Sequence, residues 1–273
     1  MIAYLKRDAG SGNYTLRVVT AGGSDVEVDA GWCRFPMWSP DSSLIIYSTY
    51  DTGDEHKVFT VEPDGSNKTA IYTHPSTPAT ISRPCYNADG TLIAFQNENA
   101  NTIYVANADG SGANLIDTIV DADEEGALSW AHNSDRLAYA NGGAFANAKW
   151  YVINADGSGK TQIGVDTAVN DSILGKFAWA LDDSVVIGPR WTADNRWRLM
   201  AMDPAGGGQA DLSPTARVFD QPILVMPNGR VYFLAYIEPV FAGVDFESVE
   251  IDGSDRRVED SASAVNILLE FFI

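Results

Sequence analysis

Several stretches of this 273-residue chain carry residue types at spacings that could do chemistry. Gly157-Ser158-Gly159-Lys160-Thr161 matches the end of a phosphate-binding loop. That motif needs a glycine five residues before its second one, where Asn154 stands, and a helix to follow. The segment aligns with Asp64-Gly65-Ser66-Asn67-Lys68-Thr69 and reads as a hairpin turn. Asp121, Asp123 and Glu125 have the opening spacing of a calcium loop, but the twelfth position, which must be a bidentate Glu, is His132. His56, His74 and His132 are scattered, and none has a second His or Cys at zinc-ligand spacing. No Gly-x-Ser-x-Gly elbow occurs, and among 37 acidic residues a carboxylate pair carries no information. These residues call for no metal, no cofactor and no catalysis.

Binding chemistry has better candidates. Arg190, Trp191 and Trp197 lie in Gly188–Arg198, a stretch read as a loop and the start of a strand. Arg and Trp dominate binding hot spots because they pair large apolar area with polar handles. Arg34, Arg83 and Lys176 each precede a repeated anchor residue by three or four positions, at the start of an innermost strand. Three cations at one opening could attract a carboxylate or phosphate, or pair with neighbouring acidic loops.

The elements that position them come from a repeat. Residues 35–72 read as four short strands, with a polar turn after Trp38 and an Asp64-Gly65-Ser66 turn before the last. The anchor recurs at Trp38, Tyr86, Trp130, Trp179 and Val225, in steps of 44 to 49 residues. The second turn recurs as Asp109-Gly110-Ser111, Asp156-Gly157-Ser158 and Asp252-Gly253-Ser254, and becomes Pro204-Ala-Gly-Gly-Gly in the fourth unit. Four strands per mid-forties period is the pattern of a propeller blade. The repeating aromatics are expected in the core.

The copies Trp38-Ser39-Pro40-Asp41 with Ile45-Ile46-Tyr47, and Asp89-Gly90-Thr91-Leu92-Ile93-Ala94-Phe95, resemble the TolB-like propeller family. The resemblance covers nearly the whole chain and weakens where Leu181 replaces the proline and Val225 the aromatic. It implies an all-β propeller, a fold that hosts adaptors, receptors and enzymes alike.

Residues 2–28 supply only three strands, Ile2–Lys6, Tyr14–Thr20 and Asp25–Val28. The expected architecture is therefore a single domain over 1–273 with six four-stranded antiparallel blades. One blade is split between 1–30 and 262–273, where apolar Ala264–Ile273 supplies the missing strand and closes the ring. The full blades are expected at about 31–73, 79–118, 124–165, 174–214 and 219–260. Long loops such as Tyr50–His56, Thr73–Thr80 and Pro189–Asn195 would share one face.

A formal charge of −19 repels nucleic-acid phosphates and anionic membranes, so neither is an expected partner. Six Lys against twelve Arg with abundant Asp is compatible with a salty environment, but an acidic, otherwise ordinary surface is the leading reading. Cys33 and Cys85 have no metal spacing and are expected as two free, partly buried thiols. A strand-like Ile-Ala-Tyr-Leu directly after Met1 reads against a signal peptide, and no apolar run nears the roughly 20 residues of a membrane helix. The expected setting is periplasmic for a mature fragment, otherwise cytoplasmic or within a viral particle. The leading expectation is a non-enzymatic scaffold for a protein partner, with carbohydrate as a second ligand class. The alternatives are a structural or attachment module of a virion or cell surface, and a polysaccharide-acting lyase or hydrolase.

Overall fold

The computed structural model describes residues 1–50, 53, 55–76, 78–119, 128–141, 149–164, 177–192, 196–212, 220–225, 229–237, 243–251 and 253–262. These residues divide into two compact units, 1–122 and 123–272. Every described sheet is an antiparallel meander, and no described helix is long and apolar enough to cross a membrane.

The first unit opens with a three-stranded sheet, β1 (Ile2–Arg7), β2 (Tyr14–Val19) and β3 (Asp25–Asp29). A four-stranded sheet follows: β4 (Cys33–Trp38), β5 (Ile45–Thr49), β6 (Lys57–Val61) and β7 (Thr69–Thr73). Its successor is β8 (Ile81–Tyr86), β9 (Leu92–Asn97), β10 (Thr102–Asn107) and β11 (Asn114–Thr118). The second unit holds three more sheets of four. They are β12 (Leu128–Trp130), β13 (Arg136–Asn141), β14 (Lys149–Asn154) and β15 (Thr161–Ile163); then β16 (Ala178–Trp179), β17 (Val186–Thr192), β18 (Arg196–Met202) and β19 (Gln209–Asp211). The last is β20 (Asp220–Val225), β21 (Arg230–Ile237), β22 (Gly243–Glu250) and β23 (Arg257–Ala262). Ala264–Ile273, expected to complete the three-stranded sheet, lies outside the described residues.

The unbroken apolar run in β5 follows from burial on both faces. Ile45 and Tyr47 pack with Leu16, Val18 and Val28 of the preceding sheet, while Ile46 packs with Ile81, Ile93 and Phe95 of the next. Each such side chain contributes about 1.5–3 kcal/mol by leaving water. Tyr86, Trp130 and Trp179 are buried as expected, whereas Trp38 is half-buried at the margin of its cluster. Cys33 and Cys85 are free thiols and fully buried, and burial pushes the Cys33 thiol up to about 12.

The repeated Asp-Gly-Ser turn does two jobs. Its Asp carboxylate accepts from the backbone N–H two residues on, at 2.8 Å for Asp64–Ser66 and 2.9 Å for Asp109–Ser111 and Asp156–Ser158. The side-chain hydroxyl of the same serine and, after it, this backbone bond hold each carboxyl below its ordinary range. The glycine also lies on the outer strand of the sheet before. A Cβ on Gly110 would stand 1.9 Å from the Ile71 carbonyl oxygen, and one on Gly65 3.2 Å from that of Val28. In the second unit Gly206 approaches Gln162, and Gly253 approaches Asp211, in the same way.

That packing fixes equivalent positions at the two seams of the first unit. After Val28 comes Asp29, which accepts from Lys68 Nζ at 2.7 Å and Tyr47 Oη at 2.5 Å. After Ile71 comes Tyr72, whose ring lies 4.5 Å from that of Phe95, and Phe95 stacks on Tyr104 at 5.6 Å. His74 meets Tyr104 edge-on at 5.7 Å. Lys68, four residues after its turn Asp, sits 4.8 Å above the Phe59 ring, and Lys160 sits 4.6 Å above Tyr151. The second four-stranded sheet has Ala113 at that position.

Candidate interaction site

Two strained turns, one in β4 and one in β8, gather the candidate site in the first unit. Phe35 and Arg83 have φ of 50° and 53°, and each precedes a proline. A residue before proline is barred from the right-handed helical region, and one in the left-handed region supplies the extra residue of a bulge. The register accordingly shifts between Arg34 and Met37 and between Ser82 and Cys85. Left-handed backbone at bulky residues costs on the order of 1–3 kcal/mol each and clusters at functional sites.

The two bulges bring Arg34 and Arg83 to one ring. Each guanidinium carbon lies 4.5 Å from the Phe35 centroid. The Arg34 guanidinium also lies 3.4 Å from the Tyr50 centroid, where the ring's negative face favours a cation. Trp32 meets Tyr50 edge-on at 5.7 Å, and the Tyr50 N–H donates to the Trp32 carbonyl at 3.0 Å. Glu98, just past β9, forms an ion pair with Arg34, its Oε2 accepting from Arg34 Nη1 at 3.5 Å and from the Tyr50 hydroxyl at 3.3 Å. Trp32 remains 39% exposed at the edge of this cluster. The result is an aromatic and guanidinium surface carrying one carboxylate, suited to recognising polar groups on an apolar body.

The other candidates fall elsewhere. Lys176 lies outside the described residues, as do the acidic stretch 121–125 and the loop residues 193–195. Arg190 and Trp191 are in β17 and Trp197 in β18, where Trp191 and Trp197 are direct cross-strand partners. The expected loop from Pro189 is therefore shorter: the ladder runs through Thr192 and resumes at Arg196, as β-branched and aromatic residues favour. The Gly157 turn is a hairpin, joining β14 to β15.

Trp32, Phe35, Tyr50 and Glu98 were not among the residues singled out from the sequence. One signal could have found Phe35. Phe35-Pro36 and Arg83-Pro84 occupy the same place before the anchors Trp38 and Tyr86, a repeated proline of the kind confined to sheet-edge strands and bulges.

No protein-family model matches the chain, and no curated protein matches it. Solved structures do. TolB from Acinetobacter baumannii superposes with a TM-score of 0.63 at 15% identity, covering 93% of this chain and 62% of that one, so the chain spans less than two thirds of that TolB. Oligogalacturonate lyase in complex with manganese gives 0.69 at 12% identity, covering 93% and 72%. A chain of the nidogen/laminin complex gives 0.57 at 12% identity, covering 95% and 92%. At these identities the likeness shows the fold: the chain is an all-β propeller of TolB-like type.

Proposed function

We propose that this propeller is a non-enzymatic scaffold that binds a protein partner through the loop end of its first unit. The observation that carries this reading is the assembly of Trp32, Tyr50, Arg34, Phe35 and Arg83 into one surface patch with Trp32 exposed. Rigid aromatics give large contact area at low entropic cost, and arginine adds multiple hydrogen-bond donors. Arg190, Trp191 and Trp197 are a second proposed contact, on one hairpin of the second unit, and Lys176 a further cation. TolB and the nidogen/laminin chain share the fold, as does a lyase, so the fold supports binding without deciding against catalysis.

Affinity capture from the native source tests the proposal, with wild-type protein beside Trp32→Ala/Tyr50→Ala. A stoichiometric protein companion lost in the double variant is the expected result. A companion retained by it would move the contact to the Arg190–Trp197 hairpin. No companion at all would remove the scaffold reading. We also propose that the chain forms a single domain, closed by pairing residues 262–273 with the three-stranded sheet. Deleting Val265–Ile273 should then abolish the cooperative thermal transition, and an unchanged melt would refute the closure.

A further inference from the structure

Among the described residues, Arg34 is engaged through one of its guanidinium nitrogens only, Nη1. Its side chain is only 12% exposed, clasped by the rings of Tyr50 and Phe35. Glu98 engages Nη1 alone, at 3.3 and 3.5 Å, rather than both prongs of the fork. Among the described residues no group accepts from Nε or Nη2. A guanidinium offers five N–H donors and binds a carboxylate best through two parallel bonds. Ser48, its cross-strand partner and therefore on the same face of the sheet, is fully buried, and its hydroxyl has no hydrogen-bond partner among the described residues. Leaving such a group unpaired costs roughly 1–3 kcal/mol.

We infer that Arg34, positioned by Tyr50, Phe35 and Glu98, recognises a single carboxylate carried on an uncharged or basic peptide segment. This rests on the reading that this loop end is the binding face. One negative charge suits the site better than two, because a second would stand against Glu98. An acidic polypeptide or polyanion would also meet the field of a chain with formal charge −19. The exposed Trp32 beside Tyr50 gives the residue bearing the carboxylate an apolar shelf.

Calorimetric titration of the full chain with N-acetyl-leucine, its primary amide and inorganic phosphate tests the assignment. The acid should bind about tenfold or more tighter than the amide, the usual advantage of a charge-assisted fork. Arg34→Gln and Arg34→Lys should both erase that advantage, since lysine keeps the charge but loses the planar fork. Thermal melts establish that each variant is folded, and if Arg34→Gln unfolds, Arg34→Lys and the wild-type acid-to-amide ratio decide. Equal binding of acid and amide, an advantage surviving in Arg34→Lys, or phosphate outcompeting the acid would each overturn the inference. Partner capture lost in Trp32→Ala/Tyr50→Ala alongside equal acid and amide binding would leave the scaffold reading standing and sink this one.

Discussion

Between the three-stranded sheet and the first four-stranded one, Asp29 and Lys68 close the seam with an ion pair above stacked Tyr47 and Phe59. One sheet later the equivalent positions are Tyr72 and Ala113, and Tyr72, Phe95, Tyr104 and His74 close the seam with rings. The backbone architecture is the same, with the turn glycine seated on the preceding outer strand in both. The repeat thus specifies where sheets meet, and leaves each seam free to use charge or aromatic area. The two choices should fail under different conditions, and that makes the comparison testable.

The largest effect should come from the aromatic seam. Phe95 is fully buried, so Phe95→Ala should cost about 3–5 kcal/mol in denaturant melts. A cost below about 1 kcal/mol would mean the ring cluster is not structural. Next comes the shared glycine contact. Gly110→Ala places a Cβ against the Ile71 carbonyl at a φ of 82°, and should destabilise by about 2–4 kcal/mol. Gly208 has nothing within 4 Å, so Gly208→Ala should stay within about 0.5 kcal/mol. Equal losses at both glycines would mean that close approach is not the cause.

The charged seam should respond less. The Lys68 side chain is 40% exposed, which screens its bond to Asp29, so Lys68→Ala should cost about 1 kcal/mol and less in high salt. The pH profiles should then separate the seams. Burial alone would raise the Asp29 carboxyl, but the bonds from Lys68, Tyr47 and the Gly31 N–H hold it below 3.8. A lowered carboxyl stabilises the fold above its unfolded value and loses that contribution as pH falls through the folded one. The turn aspartates behave alike, with Asp41 lowered to about 2 by Ser39 and Ser43. Acid melts should therefore fall progressively from near 3.8 down to about 2. Tyr72 runs the other way. Burial raises its phenol above 10.0, so its contribution is full below that value and is lost as pH climbs through the folded one. Asp29→Asn should flatten part of the acid limb and leave the alkaline one alone; Tyr72→Phe should do the reverse.

The repeat made the strands legible. Ile2–Arg7, Tyr14–Val19 and Asp25–Asp29 fall within a residue of their sequence-based bounds, because turn residues and apolar runs mark the ends of each strand. The site was only half legible. Arg34 and Arg83 could be placed by their offset from the anchors, but Tyr50, Phe35 and Glu98 reach them only through the bulges and across a sheet boundary. No local pattern encodes such a contact. The glycines were likewise read for their turn conformation alone, since their contact with the preceding strand exists only after the sheets have packed.

The most direct test of the binding face compares two exposed apolar residues of the first unit, Trp32 within the patch and Leu115 on β11 away from it. Binding of the captured partner to wild-type, Trp32→Ala and Leu115→Ala proteins should be measured side by side. The account predicts a loss of about tenfold or more for Trp32→Ala, the scale of a hot-spot residue, and an unchanged affinity for Leu115→Ala. Unchanged binding in Trp32→Ala, or equal losses in both, would contradict it.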